Sequence, residues 1–410
     1  MVGLKDIRKL NRCDWGIIII IAAGACGGLF SPLTIQRLIS IILITFVLKE
    51  FSNKSFLIPS FIKTFFIIWF VFSIISLIWT PDRTNGIKFL LYNLCSYIDF
   101  IAIIFFSFKA TNAIRSILIG WLLLIIITAP IAIWEIVSNS HLPISVQDSS
   151  AIILNSLGER TSRIFASVTY GNLNTYVLVL VYCIPYVLMS IGFFKKDKIY
   201  PWIALAFIIF VILINASRGG ILCLSAALIY TNFSFVRHKI ISRPFAICSF
   251  ILLFILIFFN SDFLFNQIAG RMLESKLTAD ESRIEVYERG LEILKSSLGL
   301  GCGIGGLQVS LEALGGIARI SAMHNMFLEF LVQYGIIPFV FFILFIFGII
   351  KQLIFSAVHI KNFIGWIFIL LVVPMSIINS GYLTDAMLWI YFSSIYVIGR
   401  FPLSPKSRHR

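Results

Sequence analysis

The sequence predicts an all-α, polytopic membrane protein with about twelve transmembrane helices. Three observations carry that expectation. Hydrophobic residues fill 59% of the 410 positions and charged residues only 13%, about half the charged share of a soluble domain. The mean hydropathy is +0.97. Apolar runs recur along nearly the whole chain, each long enough for a hydrocarbon core of about 30 Å with some tilt.

In chain order the expected spans are 15–31, 33–48, 58–79, 89–107, 115–137, 172–194, 199–215, 219–235, 243–260, 324–349, 363–380 and 384–399. The apolar stretch from Pro201 to Tyr230 is too long for one helix and short for two, and the polar interruption Asn215–Gly220 marks its turn. Alanines and Gly24 before Cys26 loosely resemble a cleavage or lipidation site after a basic segment. With so many spans following, an uncleaved first helix is the expectation.

Basic residues set the orientation. Lys5, Arg8, Lys9, Arg12, Lys49, Lys54, Lys109, Arg115, Lys195, Lys196, Lys198, Arg237, Lys239, Arg243, Lys351 and Lys361 fall in loops on the N-terminal side, and Arg400, Lys406, Arg408 and Arg410 in the tail. The short loops opposite hold Arg83, Lys88 and Arg218. Both termini are therefore expected in the cytoplasm, and the net charge of +14 requires no nucleic-acid partner. The chain divides into spans over 1–137, a first outer loop over 138–171, spans over 172–260, a large outer loop over 261–323, spans over 324–400 and a cytoplasmic tail over 401–410. Both long loops fall on the outer side, so the working surface is expected there.

In the large loop, Ser282–Leu298 reads as an amphipathic helix with an apolar stripe of Ile284, Tyr287, Leu291, Leu294 and Leu298. Ser282 with Glu285 forms a capping box and Gly299 suits the helix end. Such a helix is too polar to span and would lie across the bundle mouth or in the lipid interface. The glycines of Gly301–Gly306 match GxGxxG literally, but no strand precedes them as a dinucleotide fingerprint requires. They are expected to permit tight turns or close approach to a ligand or another helix. The cysteines, Cys13, Cys26, Cys95, Cys183, Cys223, Cys248 and Cys302, have no metal-ligand spacing and read as packing residues.

Of the histidines, His324 stands at the start of the tenth span on the outer side, and His141 in the first long loop. His324 reads either as a general base or as an anchor of the helix end. Arg218 lies in a break between apolar helices, where a cation needs a partner or a wet cavity. Arg163, Arg271, Arg283, Arg289 and Arg319 lie in the long loops. Arginine's planar fork matches phosphate oxygens, so the cluster points to an anionic head group. Arg289 has a ready partner in Glu285, whereas Arg283 sits against the dipole at a first turn. The acids Asp99, Glu135 and Glu329 are candidates for pairing or proton relay, and Glu329 shares no helix face with His324.

These blocks resemble the O-antigen ligase family. His324-Asn325 with Gly335 resembles its histidine motif, and Ser217-Arg218 with Leu222 its Arg-x-x-x-Leu motif. Ser282-Arg283, Tyr287, Gly290 and Gly299–Gly303 resemble the loop segment before the histidine, and Arg163 with Thr169–Asn174 the upstream Gly/Asn block. Pro338 departs from the Gly, Thr or Tyr that often follows the motif glycine. The resemblance implies a GT-C-like, metal-independent inverting glycosyltransferase of the bacterial inner membrane, active at the periplasmic face and needing no cofactor. The donor it implies is a glycan on undecaprenyl pyrophosphate, and the acceptor a sugar hydroxyl of lipid A–core, in lipopolysaccharide biosynthesis. On the motif matches His324 would be the catalytic base and Arg218 and Arg283 would bind pyrophosphate, with Arg163, Asn172, Asn174, Arg289 and Asn325 as further substrate contacts. The wider superfamily adds an alternative, an O-antigen or exopolysaccharide polymerase whose acceptor is a second lipid-linked repeat unit. A transporter of lipid-linked glycan is a third reading. Against it, the halves 1–200 and 201–410 show no convincing repeat.

Overall fold

A computed structural model of the chain describes residues 10–51, 58–145, 152–154, 160–162, 164–194, 197, 199–237, 283–315 and 322–403. They form helices α1 (Arg12–Ala22), α2 (Ile35–Phe51), α3 (Ser60–Ser76), α4 (Arg83–Lys109) and α5 (Ala113–Ser138). A short antiparallel hairpin follows, β1 (Ile152–Leu154) on β2 (Arg160–Ser162). Next come α6 (Leu173–Phe193), α7 (Ile199–Ile214), α8 (Arg218–Arg237), α9 (residues 283–296) and α10 (Leu307–Ala313). The last are α11 (Met326–Tyr334), α12 (Ile336–Ile354), α13 (His359–Met375) and α14 (Ala386–Arg400). Helices α4, α5, α6 and α12 are long and apolar enough to cross a membrane, while α3, α7, α13 and α14 are apolar but shorter. The hairpin in the first long loop qualifies the all-α expectation, and the expected ninth span, 243–260, lies outside the described residues.

Helix α6 is the axis of the bundle. It buries 89% of its most apolar window, and its Tyr186 hydroxyl donates to the Tyr391 carbonyl of α14 at 2.8 Å. On the other side of α14, the rings of Phe65, Trp69 and Phe330 pack around Trp389 and Phe345. With lipid tails as apolar as leucine, such packing and the few interhelical hydrogen bonds hold the helices together. One bond joins Trp121 Nε1 to Ser394 Oγ at 3.2 Å. Others join Asp99 of α4 to Gln36 and Ser40 of α2, at 3.0 and 2.8 Å.

At one end of the bundle Asp14, fully buried, accepts from Thr111 N, Asn112 N and Ser116 Oγ while closing a capping box with Asn11. A buried carboxylate persists only when so satisfied. Lys109 pairs with Glu50 and Lys361 reaches the Gly399 carbonyl at the same end. The turn before α4, the glycine run 301–306 and the segment 376–385 lie at the opposite end.

The expected tenth span, 324–349, is two helices rather than one. Gly335 between them has φ 80, and a Cβ there would stand 2.5 Å from the Gly299 carbonyl. Helix α11 therefore stays at the end of the bundle opposite Asp14, and the long apolar helix starts only at Ile336. Pro338 fits the first turn of α12, where no intrahelical N–H bond is lost.

Candidate active site

The site is built around α11. Asn325 caps it, its Oδ1 accepting from Phe327 N at 3.0 Å and Leu328 N at 3.2 Å. Its first helical N–H, on Met326, donates to the Ser376 carbonyl at 2.9 Å. Glu329, one turn on, accepts from Gly381 N at 3.0 Å. Two contacts thus fix the segment 374–385 against the start of α11. That segment also meets α8 and α6. A Cβ on Gly219 would stand 2.8 Å from the Ile378 side chain, and Asn379 Nδ2 donates to Thr175 Oγ1 at 2.8 Å. The starts of α6, α8 and α11, with Asn172, Arg218 and His324, therefore surround one short loop.

His324 precedes the cap with φ +46, a left-handed conformation that costs a non-glycine residue about 1–2 kcal/mol. Its Nδ1 is buried and makes no hydrogen bond within the described protein. Burial and the nearby Arg283 guanidinium push the imidazole down to about 4. The ring is neutral at physiological pH and offers a lone pair rather than a charge. Arg283, half-buried, is the first helical residue of α9, so the charge that His324 feels comes from the loop helix. Arg289 on the same helix pairs with Glu285.

Helix α9 is amphipathic as expected, but its buried face differs. Val286 and Ile293 pack with Met323 and Val332, and Gly290 admits the Met323 side chain. Ile284 is 58% exposed, Leu291 50% and Leu298, beyond the helix end, 92%. The glycine at position 290 chose the face, because only there can Met323 lie against the helix backbone. Ser282 of the expected capping box lies outside the described residues. Gly299 ends the helix with φ 82, donating to the Leu294 carbonyl at 2.8 Å.

The glycine run 301–306 is a close-approach device. Cys302 N donates to Val332 O and Gly303 N to Gln333 O at 2.9 and 3.1 Å. A Cβ on Gly301 would stand 2.6 Å from the Val332 carbonyl, and one on Gly305 2.6 Å from Gly86 N. The run thereby locks α11 to the α3–α4 turn, where Thr80 Oγ1 reaches Ile304 O at 2.9 Å.

The polar break before α8 is a clamp. Asn215 exchanges hydrogen bonds of 2.8 Å each way with the Ala166 backbone, and Ala216 takes φ 42. Arg218 follows as the exposed first residue of α8. The end of the first long loop is held further by Glu135, which accepts from Ser167 N at 2.7 Å and Val168 N at 2.8 Å. His141 lies 3.5 Å from the same carboxylate and stacks on Phe165. Asn172 caps α6 through Asn174 N and Thr175 N, and Asn174 is half-buried beside it.

His324, Asn325, Arg218, Arg283, Asn172 and Asn174 thus stand at one end of the bundle. Arg289 is held by Glu285, and Arg163, Arg271 and Arg319 lie outside the described residues. Sequence reasoning missed the 374–385 hub, although Asn379-Ser380-Gly381 carries a turn signal. It also missed the clamping roles of Glu135 and Asn215, and Arg37 as a cation at this end of the bundle. Chemically, a neutral imidazole beside the Arg283 guanidinium suits proton removal next to an anionic leaving group.

No curated protein sequence matches the chain at a significant level. Residues 203–343, which hold α8 through α11 and the start of α12 and include Arg218, Arg283 and His324, match the family model described as O-antigen ligase.

Proposed function

We propose that the protein transfers a glycan from undecaprenyl pyrophosphate to a sugar hydroxyl of lipid A–core at the outer face of the bacterial inner membrane. The observation that carries the reading is the influence of Arg283 on a neutral, half-buried His324 at the loop that α8 also meets at Gly219, next to Arg218. Arg218 and Arg283 bind the pyrophosphate and stabilise it as it leaves. His324 accepts the proton of the attacking hydroxyl. Attack from the face opposite the leaving group inverts the anomeric carbon. Pyrophosphate bound at Arg283 offsets its charge, so His324 becomes a stronger base when donor is present. Asn325 holds His324 in place as the helix cap rather than by touching sugar.

The test is a gel of surface polysaccharide from a deletion strain carrying wild type or His324→Ala. Restoration of long chains on lipid A–core by wild type alone supports the reading. A core that carries one repeat unit in the deletion strain identifies a polymerase instead, and unchanged lipopolysaccharide in every strain refutes both.

A further inference from the structure

A second cationic group stands at the outer end of the bundle, away from Arg218 and Arg283. Helices α2 and α4 run side by side in the same direction, with Gln36 and Ser40 bonded to Asp99 and Glu50 paired with Lys109. Near their outer ends the Arg37 guanidinium lies over the Tyr92 ring, its central carbon 3.3 Å from the ring centroid. Lys88, one turn before Tyr92 on α4, places its ammonium 5.8 Å from the same ring. Neither cation has a carboxylate at ion-pair distance among the described residues. Arg37 donates to the Pro32 carbonyl, which uses one arm of its fork, and it feels the charge of Asp385. Asp385 ends the 374–385 hub, so this group adjoins the candidate active site through that loop.

Below the two cations the helices expose a strip of aliphatic side chains. Leu38, Ile41 and Ile42 on α2, which follow Arg37 inward, and Leu91 on α4, which follows Lys88, are exposed, and Ile87 is exposed level with Lys88. Two cations against one carboxylate leave a net positive charge, and an aromatic face fixes the guanidinium so that its remaining N–H groups are pre-organised. A cationic head above an apolar strip is complementary to an amphiphile whose head is a phosphate and whose tails are hydrocarbon.

We propose that Arg37, Lys88 and Tyr92 hold the terminal phosphate of the membrane lipid that anchors the acceptor glycan. The assignment to the acceptor rests on the transfer reaction proposed above, in which donor pyrophosphate occupies Arg218 and Arg283. Two cations select a terminal phosphate, which carries up to two charges, over the single charge of a phosphodiester.

The experiment has two arms on the full-length protein in detergent. In the first, native mass spectrometry follows binding of dioleoyl phosphatidic acid, with dioleoyl phosphatidylglycerol and inorganic phosphate as competitors. Wild type is expected to prefer phosphatidic acid at least tenfold over phosphatidylglycerol, and inorganic phosphate should not displace it. Arg37→Gln with Lys88→Gln should weaken binding at least tenfold, and Lys88→Gln alone, at an exposed position that folding tolerates, at least threefold. Arg218→Ala should leave this binding unchanged. Equal binding of phosphatidylglycerol, displacement by inorganic phosphate, or no loss in Lys88→Gln overturns the phosphate site. In the second arm, the double variant should raise KM for acceptor at least tenfold with KM for donor and kcat kept. An unchanged acceptor KM overturns the acceptor assignment. Absence of transfer by wild type refutes the proposed reaction and the acceptor assignment with it, while the first arm still decides the phosphate site.

Discussion

Replacing Arg283 by glutamine tests the electrostatic core of the site. Burial, first, and the Arg283 charge, second, hold His324 near 4 instead of 6.5. That distance amounts to about 3 kcal/mol against protonation, at about 1.36 kcal/mol per pH unit. Arg283 is the lesser cause, so its share is below about 1.7 kcal/mol. A histidine with a lowered pKa is neutral, and competent as a base, at every pH above that value. It loses activity only as pH falls through it. Removing the Arg283 charge raises the value, and the acid limb should move up from about 4 to no higher than about 5. The assay is the pH profile of kcat/KM for glycan transfer, which reports the free enzyme. Acceptor and donor should be below saturation, and His324→Gln should serve as the inactive control. Arg283→Gln should also lower the plateau at neutral pH, because the proposed phosphate contact would be lost. An acid limb that stays in place or moves down, with the plateau reduced, would refute the electrostatic coupling. A limb near 6.5 would mean that burial contributes nothing, against the buried Nδ1.

Other substitutions separate positioning from chemistry. Asn325→Ala should cost about 1 kcal/mol of stability through the lost cap, and Asn325→Asp should restore most of it. Thermal unfolding in detergent measures both, and equal loss in the two variants would show that the cap is not what matters. Gly301→Ala should destabilise more than Gly315→Ala. Both residues have positive φ, a conformation that costs alanine about 1–2 kcal/mol. Only at Gly301 does a Cβ also meet a carbonyl at 2.6 Å, whereas nothing lies within 4 Å at Gly315. Equal melting temperatures would contradict the close-approach role of the glycine run. Glu329→Ala should cost about 1–3 kcal/mol, since it leaves the Gly381 N–H unpartnered beside the site. Glu329→Gln, which keeps an acceptor oxygen, should retain more stability and activity. The reverse order would point to a proton-relay role for the carboxylate. Arg218→Lys should restore transfer only in part relative to Arg218→Ala, because a lysine supplies charge without the bidentate fork. Full activity in Arg218→Lys would reduce its role to charge alone.

Much of the molecule was legible along the chain because hydrophobic runs, caps and turn glycines act over a few residues. The helical elements, the break at Asn215–Ser217, the Asn325 and Asn172 caps, and the Arg289–Glu285 pair all follow from local spacing. The family motifs around Arg218, Arg283 and His324 were legible for the same reason, and the family match falls on that stretch. Where two packing solutions were locally equivalent, the sequence could not choose. A largely apolar stretch through Gly335 suits one long helix until the Gly299 carbonyl occupies the space that a straight continuation needs. Helix α9 carries apolar residues on more than one side, and the Met323 contact at Gly290 decides which side is buried.

Sequence by itself determined the membrane class, the helical periodicity and the residue types able to bind an anion and accept a proton. These depend on side-chain chemistry and on spacings within a turn or two. Tertiary structure alone decided which of them meet. Segment 374–385 joins α6, α8 and α11 through contacts between residues from 50 to more than 200 positions apart. Arg37 finds Tyr92 only because α2 and α4 pack side by side. Such contacts depend on how rigid helices share a crowded interior, and no local pattern records that choice.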